Sequence, residues 1–445
     1  MNSMKIKQGI NFNIILLLMA LLPRLAVLFI LPPVPEKILT PLNDPTDYDF
    51  LAKEILKGCY DAPGGFPTAF RPPAYPAFMA LIYLFAGRGN LLAVAFVQVI
   101  LDVLNAFILR ALALRITGSK TASALSAAAF AIYPAFILQS TQILSEALCR
   151  TLFLGFIWAL AYGLERKDEK WIIISGILCG ASILNKSVLL CTVPLILFWL
   201  GACWNGTARE KITSAVIYFT LPLFCVIMPW TLRNYQVSGG EFIPVSTNYP
   251  ITFAHGVTRF CYYANIWYGR ERLMPAPENY QELTQMRAYR GVKEELEVGR
   301  RYKSLALRFM KDHPGFIIRM TIRKGLHFWS PLIRNTRIIE FIAFFSMAPV
   351  LLLGWIGIVA GLWSGGAARR YATLALAIAL PVSLPYILSQ PDVRYRVSII
   401  DPLWIIGAAW FLVWLTQKVH PVYSAASSGQ CPSSNHDASG QNAGA

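Results

Sequence analysis

At 445 residues, 56% hydrophobic and 13% aromatic with only 14% charged, the chain is excluded from the ordinary soluble proteins, because several apolar runs are long enough to cross a bilayer. Its formal charge of +16 invites a nucleic-acid reading. The basic residues, however, sit mainly in short loops between apolar runs and in one long loop, where membrane lipid is the fitting partner and nucleic acid is not.

The amino-terminal apolar run extends to Leu31 behind Lys5 and Lys7, is interrupted by Pro23 and Arg24, and lacks a small-residue cleavage site. It reads as a retained first span with its amino terminus in the cytoplasm. A polar island follows from Pro41 to Pro76 and gathers Asp44, Asp47 and Asp49. Acidic residues are scarce in this chain, so an acidic cluster beside a span points to acid/base work or a cation site, with a solvated Asp-rich turn as the plain alternative. The segment 71–87, RPPAYPAFMALIYLFAG, is apolar but short, opened by a double proline and closed by glycine, which suits an interfacial helix.

Further spans are expected near 90–114, 121–138, 147–163, 171–184, 188–203, 213–232, 341–363, 371–389 and 403–416. With the first, that makes about ten, both termini lying inside if Arg110, Arg115, Lys120, Arg209, Lys211, Arg369 and Arg370 mark cytoplasmic loops. The expected fold class is an all-α polytopic membrane protein with interfacial helices in two external loops. Its expected divisions are a transmembrane core over 1–232 that carries the Asp loop (32–76) and interfacial segment (71–87), an external helical region over 233–340, carboxy-terminal spans over 341–418 and a disordered cytoplasmic tail over 419–445. The eight cysteines show no metal-ligand spacing. Cys149, Cys179, Cys191, Cys203 and Cys225 fall in apolar runs, and only Cys59 and Cys261 lie in loops where a disulfide could form.

Polar groups at membrane depth are costly, so each needs a reason. Gln98, Asp102 and Asn105 recur at helical spacing on one face, which lines a cavity or, preferably, bonds neighbouring helices, with Arg24 a fitting partner for such an acid. Glu146 stands at the outer end of its span, level with the Asp loop. Lys186 closes an apolar run worth only about 21 Å of helix against a hydrocarbon core of about 30 Å. An ammonium at that depth can meet a lipid phosphate, or snorkel outward. Between Arg233 and Arg337 basic and aromatic residues interleave, as in RFCYYANIWYGRER, and two helices are expected to break at His313-Pro314, the second amphipathic. Arg394 and Arg396 stand in a short outer loop, DVRYRVSIIDP, against the charge bias. A glycine-rich phosphate loop, a serine-histidine-acid pattern and a zinc motif are all missing from the sequence, so a nucleotide-fuelled mechanism is not expected.

The Asp loop running into RPPAYP, Ser-Glu at 145–146, the short span ending in Lys186, RNY followed by FIPVSTN, DHPGFIIR and RYRVSIIDP together resemble the dolichyl-phosphate-mannose–protein mannosyltransferase superfamily. These are C-type membrane glycosyltransferases, glycosyltransferase family 39-like, whose bacterial branch includes the aminoarabinose transferases acting on lipid A. The resemblance covers the chain to about residue 416. It implies sugar transfer from a polyprenyl-phosphate donor to a lipid, glycan or protein hydroxyl on the outer face of the cytoplasmic membrane. By the same resemblance Asp44, followed by Tyr48, Leu51 and Ala52 as in the family pattern, is the base. The sequence departs from the family's Asp-Glu pair, having Asp44-Pro45, which leaves Asp47 as the second candidate. Lys186 with Arg394 or Arg396 would hold the donor phosphate, Glu146 would shape the site, and Arg71 would lie beneath the acidic loop, with Tyr48 and Asp102 in support. No cofactor is required; a divalent metal bridging the aspartates is compatible but not demanded. The competing readings are a lipid-linked sugar flippase or transporter, which would usually show an internal repeat not seen here, and a non-catalytic envelope scaffold.

Overall fold

The computed structural model describes residues 2–31, 33, 44–257, 289–331 and 337–427. The remainder of the Asp loop, Cys261, the aromatic run at 259–272 and the tail beyond 427 lie outside the described residues. The described residues are nearly all helical. In order come α1 (Asn2–Ile30), α2 (Asp44–Ile55), a small hairpin of β1 (Asp61–Ala62) and β2 (Phe66–Pro67), α3 (Ala74–Ala86), α4 (Leu91–Thr117), α5 (Lys120–Ala131), α6 (Pro134–Thr141), α7 (Glu146–Arg166), α8 (Glu169–Asn185), α9 (Val193–Cys203), α10 (Ala208–Thr213) and α11 (Leu221–Ser238). After these come α12 (Tyr249–Val257), α13 (Val292–Asp312), α14 (Pro314–Phe328), α15 (Arg337–Ser364), α16 (Gly366–Leu388), α17 (Val393–Ile399) and α18 (Asp401–Ser427).

Local chemistry sets the boundaries. The Asn90 side chain caps α4 by accepting from the Ala93 N–H, and Gly118, at φ 64°, closes it in the left-handed conformation. Pro134 begins α6 where the chain bends by 51° from α5. Among the described residues six helices are long and apolar enough to cross a membrane, or eight if the bent pairs α5–α6 and α17–α18 each make one crossing. The other two of the ten expected segments, Glu169–Asn185 and Ser187–Cys203, are helical, but α8 at 17 residues reaches only about 25 Å. The segment expected to be interfacial is helical over α3, and the break at His313-Pro314 separates α13 from α14. The helix expected to end near 416 continues to Ser427, into the segment expected to be disordered.

Helices approach closely where the sequence supplies glycine. A Cβ on Gly176 of α8 would lie 2.4 Å from the Phe219 carbonyl oxygen, in the π-helical turn Ser214–Thr220 that leads into α11, so any larger residue forces that packing apart. At membrane depth the polar face of α4 is consumed by neighbours. Asp102 is fully buried between Arg24 of α1 and Arg150 of α7, with ion-pair distances of 2.8 Å on both sides. Gln98 accepts from the Tyr75 hydroxyl and donates to the Ser140 and Gln142 carbonyls.

Outside the bundle, Glu295 of α13 is the fastening point. Its buried carboxylate accepts from the Thr68 and Thr247 hydroxyls and from the Ala69 N–H, although burial pushes its pKa up. Arg233, at the end of α11, donates to the Thr68 and Tyr60 carbonyls. These bonds clamp the segments flanking the β-hairpin against α11 and α13 and hold Arg71 in place.

Replacing Asp102 with Asn leaves two buried guanidiniums without a counter-charge. The expected loss is about 3–5 kcal/mol, read as a lower thermal unfolding midpoint of the detergent-solubilised protein.

Candidate active site

The candidate site is a cavity of about 420 Å³ walled by the start of α2, the 70–72 turn, the start of α7, the end of α8 with the turn after it, the 244–252 segment, the end of α16 and the start of α17. Asp44 and Asp47 occupy the first turn of α2, where the helix dipole favours carboxylates. Tyr48 packs edge-on against Tyr75 at 4.8 Å and turns the helix's inner face toward the cavity.

The ionisable groups form one chain of alternating sign. Arg71 Nη2 lies 2.8 Å from Asp47 Oδ2 and 2.7 Å from Asp44 Oδ1. The other Asp44 oxygen meets Arg394 Nη2 at 2.7 Å. Arg394 Nε is 3.9 Å from Glu146 Oε1, which also receives Lys186 Nζ at 2.9 Å. Asn185 fastens the end of α8 to the start of α7 by donating to the Ser145 carbonyl at 3.1 Å. Burial alone would push the Asp44 carboxyl up, but Arg71 and Arg394, with Lys186 further off, hold it below the usual carboxylate range. Burial and the Asp44 charge push the Tyr48 hydroxyl up to about 12, so it serves as a neutral hydroxyl. Burial opposes the Arg71 charge, yet Asp44 and Asp47 raise its pKa and keep it cationic.

Of the residues singled out in sequence, Asp44, Tyr48, Arg71, Glu146, Lys186 and Arg394 all line this cavity. Asp47 sits behind Arg71 rather than on the wall. Arg396 is a correction: it points into the bundle, fully buried, paired with Asp401 at 2.8 Å and donating to the Phe328 and Ser330 carbonyls. Residues two apart on a helix face away from each other, so α17 can present only one of its arginines to the cavity. Asp102 likewise lies in the core cluster, not on the cavity wall.

The sequence reading missed the aromatic wall. Tyr386 and Tyr395 stack at 4.2 Å and 10°, Tyr395 accepts from Arg394 at 2.9 Å, and Lys186 lies 4.8 Å over its ring. Tyr395 sits between the two arginines already singled out and could have been flagged; Tyr386 lies in an apolar span with no local signal. Ser246 and Asn248 of the FIPVSTN stretch also face the cavity. Among the described residues no group of His, Cys, Asp and Glu side chains has a metal-ligand arrangement.

Residues 70–231 match the family model described as dolichyl-phosphate-mannose-protein mannosyltransferase. No curated protein sequence matches the chain significantly. Among solved structures, the oligosaccharyltransferase of Archaeoglobus fulgidus in its apo form aligns with a TM-score of 0.56 at 14% identity, over 94% of this chain and 52% of that one. The same organism's oligosaccharyltransferase AglB, in complex with an inhibitory peptide and a dolichol-phosphate, aligns at 0.51 and 15% identity over 96% and 52%. The chain therefore spans about half the length of these proteins. The fold is shared with these archaeal oligosaccharyltransferases, and the family match covers the 70–231 part of the resemblance read from the motifs.

The two arginines of α17 are expected to separate experimentally. Arg396→Gln strands Asp401 in the core and lowers the unfolding midpoint by the equivalent of about 3–5 kcal/mol. Arg394→Gln leaves Asp44 paired with Arg71 and Glu146 paired with Lys186, so its midpoint should fall by less than that of Arg396→Gln.

Proposed function

We propose that this chain is an integral-membrane glycosyltransferase that moves a sugar from a polyprenyl-phosphate donor to an acceptor hydroxyl with inversion at the anomeric carbon. The observation that carries this reading is a buried carboxylate, Asp44, sharing one cavity with three cations, Arg71, Lys186 and Arg394. The family match over residues 70–231 and the dolichol-phosphate bound by the archaeal protein of like fold support a lipid-phosphate donor. The same matches lend nothing to the flippase alternative.

In this mechanism Asp44 accepts the proton of the acceptor hydroxyl as that oxygen attacks the anomeric carbon from the face opposite the phosphate. The bond from the anomeric carbon to the phosphate oxygen breaks with its electron pair, and the polyprenyl phosphate leaves. Lys186 and Arg394 neutralise the charge that grows on the departing oxygen, a preorganised role that needs no movement of solvent. Arg71 holds Asp44 in register from below, Glu146 steers Lys186, and Asp47 anchors Arg71. The stacked Tyr386–Tyr395 pair offers an apolar face to the sugar ring. On this reading the cavity opens on the outer face of the cytoplasmic membrane with both termini inside, which the bias of basic residues toward the inner loops supports.

Envelope lipids and glycans of a deletion strain are compared by mass with those of the strain carrying wild-type or Asp44→Asn protein at equal expression. One sugar-sized increment should vanish on deletion and return only with wild type, the variant turning over about 10²–10⁴-fold more slowly. Equal restoration by both proteins would remove Asp44 from the mechanism. The pH dependence supplies a second check. Because its neighbours depress the Asp44 pKa, the wild-type kcat/KM should hold down to below the ordinary carboxylate pKa of about 4. Arg394→Gln removes one of those neighbours, so the acid limb should move to higher pH.

A further inference from the structure

Helix α14 carries two opposed faces. Ile317, Met320, Lys324, His327 and Phe328 are buried against the protein, whereas Ile318, Ile322 and Leu326 are 61%, 59% and 70% exposed. These three fall four residues apart and form a single stripe. Arg319 and Arg323, also exposed, flank that stripe on one side at the same spacing. An apolar stripe bordered by guanidiniums on one edge is the pattern of a helix lying at the boundary between acyl chains and headgroups.

Continuity with the membrane-facing surface identifies the occupant. Gly325 of α14 packs toward Ile387 at the end of α16, a helix long and apolar enough to span. That helix exposes Leu380 and Leu384 at 60% and 58%. The stripe of α14 therefore prolongs a surface that lies against acyl chains, and its arginines stand where that surface meets lipid phosphate. We infer that Arg319 and Arg323 form a headgroup site for the phosphate of anionic membrane lipids, with Ile318, Ile322 and Leu326 seated among the acyl chains. The opposite face gives the contact a route to the cavity: Lys324 donates to the carbonyls of Gly256, Leu388 and Ser389, and Ser389 lines the cavity wall. Lipid held by α14 thus braces the junction of α12 and α16 from outside.

The test uses the full chain in bilayer discs containing equal amounts of photoactivatable phosphatidylglycerol and phosphatidylcholine, with cross-links mapped to the peptide 314–328. A cation near an anionic surface contributes about fivefold, so two favour phosphatidylglycerol by about 25-fold on this peptide. Arg319→Gln with Arg323→Gln should bring the two lipids close to parity, while labelling of the peptide by both persists. Equal labelling in wild type, or no labelling by either lipid, would overturn the proposal. Displacement of the phosphatidylglycerol signal by inorganic phosphate or by a soluble acidic glycan at matched charge would also overturn it, in favour of a site for a soluble anion. No donor or acceptor is present, so the outcome is independent of whether the chain transfers sugar.

Discussion

The structure depends on the ion chain that runs Asp47, Arg71, Asp44, Arg394, Glu146, Lys186. Each of these groups is largely withdrawn from water, and a withdrawn charge is tolerable only when paired. The pairs tie α2, the turn after the β-hairpin, the start of α7, the end of α8 and α17 into one wall, joining residues 350 positions apart through Asp44 and Arg394. Hydrophobic burial at membrane depth cannot specify such a junction, because lipid tails are as apolar as leucine. Charge pairing can, since each carboxylate accepts only a partner of opposite sign in a defined direction.

Two other buried ion clusters show what distinguishes this one. Arg24–Asp102–Arg150 and Arg396–Asp401, the latter with the Tyr133 hydroxyl 2.8 Å from Asp401, are closed within the bundle. The chemistry of the side chains is the same in all three; access is not. The core cluster nevertheless reaches toward the cavity. Arg150 donates to Gln139 at 2.6 Å, and Gln139 donates to the Arg394 carbonyl at 3.2 Å. A rigid pair in the bundle therefore sets the backbone position of an arginine at the surface of the cavity.

Much of this was legible in the sequence, for definite reasons. Asp44, Glu146 and Lys186 each break an apolar run at the same end of the bundle, and a charge that interrupts such a run must be explained by a partner. The pairing of Arg24 with an acid on the polar face of α4 followed from the same cost. Other features depend on three-dimensional phase. Arg394 and Arg396 carry equal signals in the chain, and only the orientation of the seven-residue helix α17 decides which meets the cavity. The number of crossings is similarly undecided by hydropathy, because α8 is apolar yet short and two segments bend at proline or at the start of α18. Tyr386 was invisible for a simpler reason: an aromatic residue in an apolar span is ordinary until its stacking partner is known.

The depressed pKa of Asp44 stands against its proposed role in the empty site, because a carboxylate that strongly prefers its charged form is a weak base. The cause of the depression resolves the conflict. Arg394 touches Asp44 and Lys186 lies close enough to stabilise its charge, and these are the cations proposed to receive the donor phosphate. A phosphate in their reach competes for the same positive charge and adds a negative charge beside the carboxylate, and both effects raise the Asp44 pKa. On the glycosyl-transfer reading, base strength therefore grows when the donor is in place. The site is then least able to deprotonate a hydroxyl, water included, when there is no sugar to transfer, and the coupling needs no moving part beyond the charge that the donor carries in.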